Sequence, residues 1–343
     1  MVTDPSESRR TRSAADLPVD THFRRGCRRI GNERRSSVLP GGLGLGGATL
    51  GNLFAPMDDE QAHAVLEAAW DSGIRYFDTA PHYGLGLSER RLGEFLATKP
   101  RAEFMVSTKV GRLLEPDPGG TGLDDANHFS VPAKYRRVWD FSATGVRRSL
   151  DESLTRLGLD SVDVVYLHDP DEYELGPALA EGLPAVTALR DEGVVSAVGL
   201  GSKSPEALAA GARSGMLDLL MVAGRYTVLD QSFLPPGTME VVAAGVFNSG
   251  VLATSEPSES AHYEYAPVPP EVLVRAREIS AVCAEFGVEL PAAALHFPLR
   301  HKDVRTVVVG ATTPGQVWRD HAHLHAVVPG ELWTVLRDKG LIR

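Results

Sequence analysis

Residues 142–168 read SATGVRRSLDESLTRLGLDSVDVVYLH, and this stretch decides the fold. Val146, Leu150, Leu154 and Leu157 recur at three- and four-residue spacing, the period of a helix with one apolar face. Ser142 stands where a side-chain oxygen can cap the first turn, and Gly158 where a left-handed residue ends the last. Past the glycine the pattern changes. Val162 to His168 is a short apolar run of the kind that a strand buried on both faces requires. A capped helix handed by a glycine into such a strand is part of a βαβ unit, and these units build parallel sheets.

The same alternation extends in both directions. Asp58 to Ser72 repeats the helical reading, with Ala62, Val65, Leu66 and Ala69 as the apolar stripe and Gly73 as the stop. Strand-like runs fall at Leu43–Gly46, Ile74–Thr79, Phe104–Lys109, Val162–His168, Val194–Leu200, Leu217–Val222, Val241–Phe247 and Thr306–Val309. Eight strands alternating with helices predict a closed (β/α)8, or TIM, barrel of the α/β class, a single domain over residues 40–343. Residues 1–39 stand apart: nine arginines against five acidic residues, and no apolar run that could serve as a secretory core, predict a mostly disordered Arg-rich tail.

Composition narrows the function classes. A net charge of −10 sets the chain as a whole against nucleic acid and anionic lipid, and no run reaches the ~18 apolar residues of a membrane span. The expected partner is a small molecule. Cys27 and Cys283 lack metal-binding or redox spacing, which suits a reducing cytoplasm, and no metal site is expected. The sequence leaves the oligomeric state open.

Two connections are long, Gly111 to Asp140 after the third strand and Asn248 to Pro270 after the seventh. Both leave C-terminal strand ends, the face on which such barrels build their sites. Asp78, Lys109 and His168 close three consecutive strands there, and Tyr83 lies five residues past Asp78. A phenol of ordinary pKa ~10 is a weak acid at neutral pH, and a neighbouring ammonium is expected to lower it. Lys109 can supply that ammonium, Asp78 can hold Lys109 charged, and His168 can orient a substrate oxygen. Singly, each has a plainer use: a turn cap, a loop aromatic, a solvated lysine, a core histidine. Their joint spacing carries the functional reading.

Phe77-Asp78-Thr79-Ala80-Pro81-His82-Tyr83-Gly84, Ser107-Thr108-Lys109-Val110 and Tyr166-Leu167-His168-Asp169 together resemble the catalytic segments of the aldo-keto reductases. The resemblance spans about residues 41 to 341. It implies an NAD(P)-dependent oxidoreductase with a tetrad of Asp78, Tyr83, Lys109 and His168, Tyr83 being the general acid or base. Gly84 to Glu89, Gly224 to Asp230 and Val246 to Gly250 are similar to the sugar-oxidising branch, which contains the D-threo-aldose 1-dehydrogenases and L-fucose dehydrogenases, and to pyridoxal 4-dehydrogenase. That implies oxidation of an aldose at C1, or interconversion of an aldehyde and an alcohol, with pyridoxal oxidation as the alternative.

A dinucleotide phosphate is expected at a helix N-terminus, and Val309-Gly310-Ala311-Thr312-Thr313-Pro314 leads into one. The resemblance implies cofactor contacts at Gly201, Ser202, Tyr226, Phe247, Asn248, Ser249, Gly250, Gly310, Ala311, Thr312, Gln316 and Asp320. Positions matching Gly310 and Gln316 carry Lys and Arg in NADP-preferring relatives, and the absence of both charges here favours NAD over NADP.

Two departures stand out. Gly201 and Ser202 replace a Ser-Asn pair that holds the carboxamide in many relatives. Only Gln231 to Glu240 lie between Asp230 and the seventh strand, and Leu234-Pro235-Pro236-Gly237 opposes a helix there. A shortened sixth helix is therefore expected, with apolar surface bared on the sixth and seventh strands. These departures motivate a catalytically impaired, cofactor-binding regulatory barrel as a competing reading. A third reading, an aldolase with a Schiff base at Lys109, needs a lowered lysine pKa, which Asp78 opposes.

Overall fold

The computed structural model describes residues 37–343. Eight parallel strands close a barrel: β1 (Gly42–Gly46), β2 (Tyr76–Asp78), β3 (Met105–Val110), β4 (Val164–His168), β5 (Ala197–Ser202), β6 (Leu219–Ala223), β7 (Glu240–Ala244) and β8 (Val304–Val309). Each pairs with its sequence neighbours, and β8 closes on β1. All eight predicted strands are present, with ends moved by up to three residues. The largest changes are at β5, which starts at Ala197 rather than Val194, and at β7, where Val246 and Phe247 lie in the turn beyond the strand.

Helices α1 (Asp59–Asp71), α2 (Leu87–Leu96), α3 (Ala143–Leu157), α4 (Leu175–Asp191) and α5 (Pro205–Ser214) follow the first five strands, the first two flanking β2. The expected caps form: Asp58 accepts from the Gln61 N–H, Ser142 from the Gly145 N–H, and Gly158 ends α3 at φ 62°. Helices α6 (Pro270–Glu285) and α7 (Leu290–Leu299) lie between β7 and β8, with α8 (Pro314–Leu324) and α9 (Gly330–Asp338) after β8.

Strand parity divides the core into two layers. Tyr76, Val164, Tyr166, Leu219, Met221, Val242 and Val308 fill one cluster, and Phe77, Val165, Leu167, Leu220, Val222 and Val307 pack with helix residues in another. Asp78 and His168 share the parity of Tyr76 and Tyr166, which directs them into the barrel at its C-terminal mouth.

Two expectations need correction. The sixth helix is absent rather than shortened: residues 224–239 contain no helical turn. Yet Leu220, Val222, Val241 and Ala243 are fully buried, because Phe233, Met239 and Leu299 pack into the same cluster. The domain also begins earlier than residue 40. Leu39 is buried against Tyr76, Tyr166, Leu219 and Val242, and the Val38 and Leu39 N–H groups donate to the Glu240 carboxylate at 2.8 and 3.1 Å. The rest of the expected tail lies outside the described residues.

Candidate active site

Four side chains from three segments meet at the mouth. Lys109 Nζ donates to Asp78 Oδ2 at 2.5 Å, to the Thr79 carbonyl at 3.0 Å and to the Tyr83 hydroxyl at 3.0 Å, so all three ammonium protons are used. The Tyr83 and His168 rings meet edge to face, 5.9 Å between centroids. Asp78, Lys109 and His168 are buried. Tyr83 is held by a close backbone approach: a Cβ on Gly84, whose φ is 60°, would lie 2.2 Å from the Gly51 carbonyl oxygen.

Beneath this group runs a hydrogen-bonded column. Ser107 Oγ donates to Asp78 Oδ1 at 2.7 Å and therefore accepts from the Tyr76 hydroxyl at 2.8 Å, which lies 3.2 Å from the Tyr166 hydroxyl. Burial raises the pKa of both tyrosines, so both stay protonated.

The electrostatics correct one expectation. Burial raises the Tyr83 pKa more than the Lys109 charge lowers it, with Asp78 adding to the rise, so the hydroxyl keeps its proton beyond the ordinary range. Burial works to lower the Lys109 pKa, but Asp78 and Tyr83 outweigh it and the net shift is upward. That charged state opposes Schiff-base chemistry at Lys109. Burial, then Arg112 and Lys109, hold His168 far below its usual pKa, hence neutral. Its Nε2 lies 3.3 Å from Asp169 Oδ2, and its buried Nδ1 has no partner among the described residues.

His82, inside the quoted motif, received no role from the sequence. Its ring lies 5.6 Å from that of His168 and edge-on to Phe129 at 5.3 Å. Arg137 Nε donates to His82 Nδ1 at 2.5 Å, and the same guanidinium donates to the His82 carbonyl and to both oxygens of Asp124. Arg137 comes from the long third connection, which folds into two antiparallel ribbons, and nothing in its local sequence marked it. Over the mouth, the seventh connection carries Tyr265 to the His128 ring (5.9 Å, 14°) and to Phe54 (5.6 Å), while Arg225 binds both oxygens of Glu264 at 3.0 and 3.1 Å.

The expected cofactor contacts divide. Asn248 is buried and left-handed (φ 45°); its Nδ2 donates to the Gly224 carbonyl, and its Oδ1 has no partner among the described residues, leaving an acceptor for an incoming amide or hydroxyl. Gly310, Ala311 and Thr312 lead into α8 as expected. The head of α8 is already capped, however: Gln316 Oε1 accepts from the Thr312 and Thr313 N–H groups at 2.6 and 3.3 Å, and Thr313 Oγ1 accepts from the Gln316 N–H. Asp320 is buried on α8. Ser249 Oγ accepts from the Tyr265 N–H at 3.3 Å, Gly250 is left-handed at φ 104°, and Phe247 packs against both large core clusters.

Others are engaged within the fold. The Ser202 hydroxyl is committed to Asp171 at 2.6 Å and to the Ser204 N–H, and neighbouring Gly201 accepts from the Asp169 N–H through its carbonyl. The Tyr226 ring packs on Phe297 (5.4 Å) and His301 (5.9 Å), on the flank beside α7, and not against the tetrad. The cause is the missing helix, which leaves Phe297 of α7 and His301 just past its end as neighbours of Tyr226.

Comparisons with known proteins bear on this geometry. The aldo/keto reductase family model matches residues 42–329. The chain is 52% identical over 309 residues to a D-threo-aldose 1-dehydrogenase from Pseudomonas sp, covering 88% of this chain and 94% of that one. It is 40% identical over 333 residues to a pyridoxal 4-dehydrogenase from Microbacterium luteolum, covering 90% and 96%. The fold is similar to that of a glycerol dehydrogenase from Gluconobacter oxydans, with a TM-score of 0.65 at 21% identity over 86% of this chain and 90% of that one. Family model, full-length relatives and closed parallel barrel agree: the chain belongs to the aldo/keto reductase family and is an oxidoreductase of that type, with a small-molecule substrate and a nicotinamide dinucleotide cofactor.

Proposed function

We propose that the chain oxidises an aldose at C1, with NAD as the preferred cofactor and Tyr83 as the proton-transfer residue. The observation that carries this reading is the continuous Asp78–Lys109–Tyr83 chain at the mouth, with His168 beside it. The bound cofactor supplies the hydride acceptor. Tyr83 Oη, as phenolate, takes the proton of the C1 hydroxyl, and Lys109 stabilises the phenolate through its 3.0 Å hydrogen bond. Asp78, backed by Ser107 and Tyr76, keeps Lys109 charged and in place. Neutral His168 orients the reacting oxygen. In the reverse direction Tyr83, protonated as its burial favours, is the acid.

A sugar needs polar partners around its hydroxyls, and Arg137 provides one indirectly. A guanidinium is only a donor, so His82 Nδ1 accepts and His82 Nε2 carries the proton. The 52% identity to an aldose 1-dehydrogenase supports the same class. The NAD preference rests on Gln316, which turns an amide oxygen rather than a cation toward the head of α8, a poor neighbour for a 2′-phosphate. A second reading, pyridoxal oxidation, draws on the Phe54–His128–Tyr265 rings, which offer a planar heterocycle a stacking surface, and on the 40% relative.

The test is absorbance at 340 nm with NAD or NADP and a panel of aldoses plus pyridoxal. Turnover with NAD and an aldose is the expected result; turnover with pyridoxal alone selects the second reading, and none from folded protein overturns both.

A further inference from the structure

The connection between β6 and β7, lacking a helix, leaves an open bay of about 330 Å³ against the C-terminal ends of α7 and α9. Tyr226, Arg300, His301, Arg337 and Arg343 line it. We propose that this bay binds a small phosphate-bearing anion, at a site separate from the catalytic mouth.

The lining is rich in donors. Neither Arg300 nor Arg337 makes a side-chain hydrogen bond or ion pair among the described residues, and Arg300 rests only on the Trp333 ring at 4.7 Å. Arg343 Nη1 reaches one carbonyl, that of Gln231, at 3.3 Å. The Tyr226 hydroxyl is also unpartnered among these residues, and burial raises its pKa, so it stays a donor. At His301, Nδ1 accepts from the Asp303 N–H at 3.3 Å, which puts the proton of the neutral ring on Nε2. Asp303, 3.9 Å from His301, has its own carboxylate engaged by the Gly237 N–H. Three guanidiniums thus face one bay with no carboxylate paired to them among the described residues, in a chain whose net charge is −10. Like charges gathered without a counter-charge repel one another, and planar guanidinium forks match the oxygens of a phosphate. The volume admits a phosphate with a small organic group, and the Tyr226 and Phe297 rings give that group an apolar wall.

The proposal does not depend on the aldose reading. Thermal unfolding is followed with NAD saturating, so that the cofactor site is filled, while inorganic phosphate or glycerol 3-phosphate replaces NaCl at constant ionic strength. The expected result is a rise in Tm that saturates with phosphate, as ligand linkage requires. The Arg300→Gln/Arg337→Gln double variant should need at least ~10-fold more phosphate for half of that rise, while Arg300→Lys retains an intermediate response. A larger effect of glycerol 3-phosphate than of inorganic phosphate identifies an organic ester as the ligand; equal effects identify the free anion. A Tm that rises equally with NaCl, or a double variant that responds like the parent, overturns the site. Circular dichroism confirms that the variants are folded, and an isothermal titration of the parent with phosphate that gives no binding signal also overturns it.

Discussion

Arg137 holds His82 by its ring and its backbone at once: Nε donates to Nδ1 at 2.5 Å and Nη2 to the carbonyl at 2.9 Å. The two residues are 55 positions apart, and the contact fixes which ring nitrogen carries the proton.

If His82 Nε2–H holds a sugar hydroxyl, Arg137→Met frees the ring and weakens ground-state binding more than chemistry. KM for the aldose should rise about 10-fold, the cost of about one hydrogen bond, with kcat within about 3-fold of the parent. Initial rates across sugar concentration check this. An unchanged KM would remove His82 from substrate binding.

Burial holds the Tyr83 proton against the pull of Lys109, which gives a direction for the pH profile. Oxidation needs the phenolate, so its kcat/KM should keep rising through pH 9 and beyond, whereas reduction should be level through neutrality and fall only in the alkaline range. Tyr83→Phe should lower kcat by at least about 100-fold, with cofactor binding retained in fluorescence titration. A plateau of oxidation by pH 7 would contradict the raised pKa.

Gln316 caps α8 with its own amide oxygen. Gln316→Arg should replace that acceptor with a cation and improve kcat/KM for NADP by about 10-fold or more relative to NAD, in keeping with a charge-assisted contact. Steady-state kinetics with both cofactors measures the ratio, and an unmoved ratio would show that this side chain does not meet the 2′-position.

Burial pushes the Asp320 carboxyl up to about 7, an effect Arg319 only partly offsets. Its folded-state pKa lies above the unfolded value of ~3.9, so the contribution to stability is full below about pH 4 and is lost as pH rises through about 7. Asp320→Asn should therefore raise Tm at pH 8 and leave it nearly unchanged at pH 4, with ~4 kcal/mol as the upper bound of the gain. Melting curves at the two pH values are the check, and equal gains at both would exclude this linkage.

Much of this molecule was legible along the chain. Helical spacing, caps such as Ser142 and stops such as Gly158 are local signals, so the strand order of the barrel follows from them. Because alternate residues of a strand share a face, the same reading puts Asp78, Lys109 and His168 at one barrel mouth with Tyr83 five residues past Asp78, and family resemblance implies the proton-transfer role proposed for Tyr83. Tertiary structure decided what depends on elements far apart in sequence. The net proton affinity of Tyr83 is a contest between burial and one ammonium, and burial is a sum over the whole fold. Arg137 found His82 through a folded connection, Leu39 found the barrel interior across more than a hundred residues, and Tyr226 turned toward α7 because no sixth helix stood between them. Periodicity reports which face of an element is buried; only the packed molecule fixes what that face meets and how strongly the surroundings hold a charge or a proton.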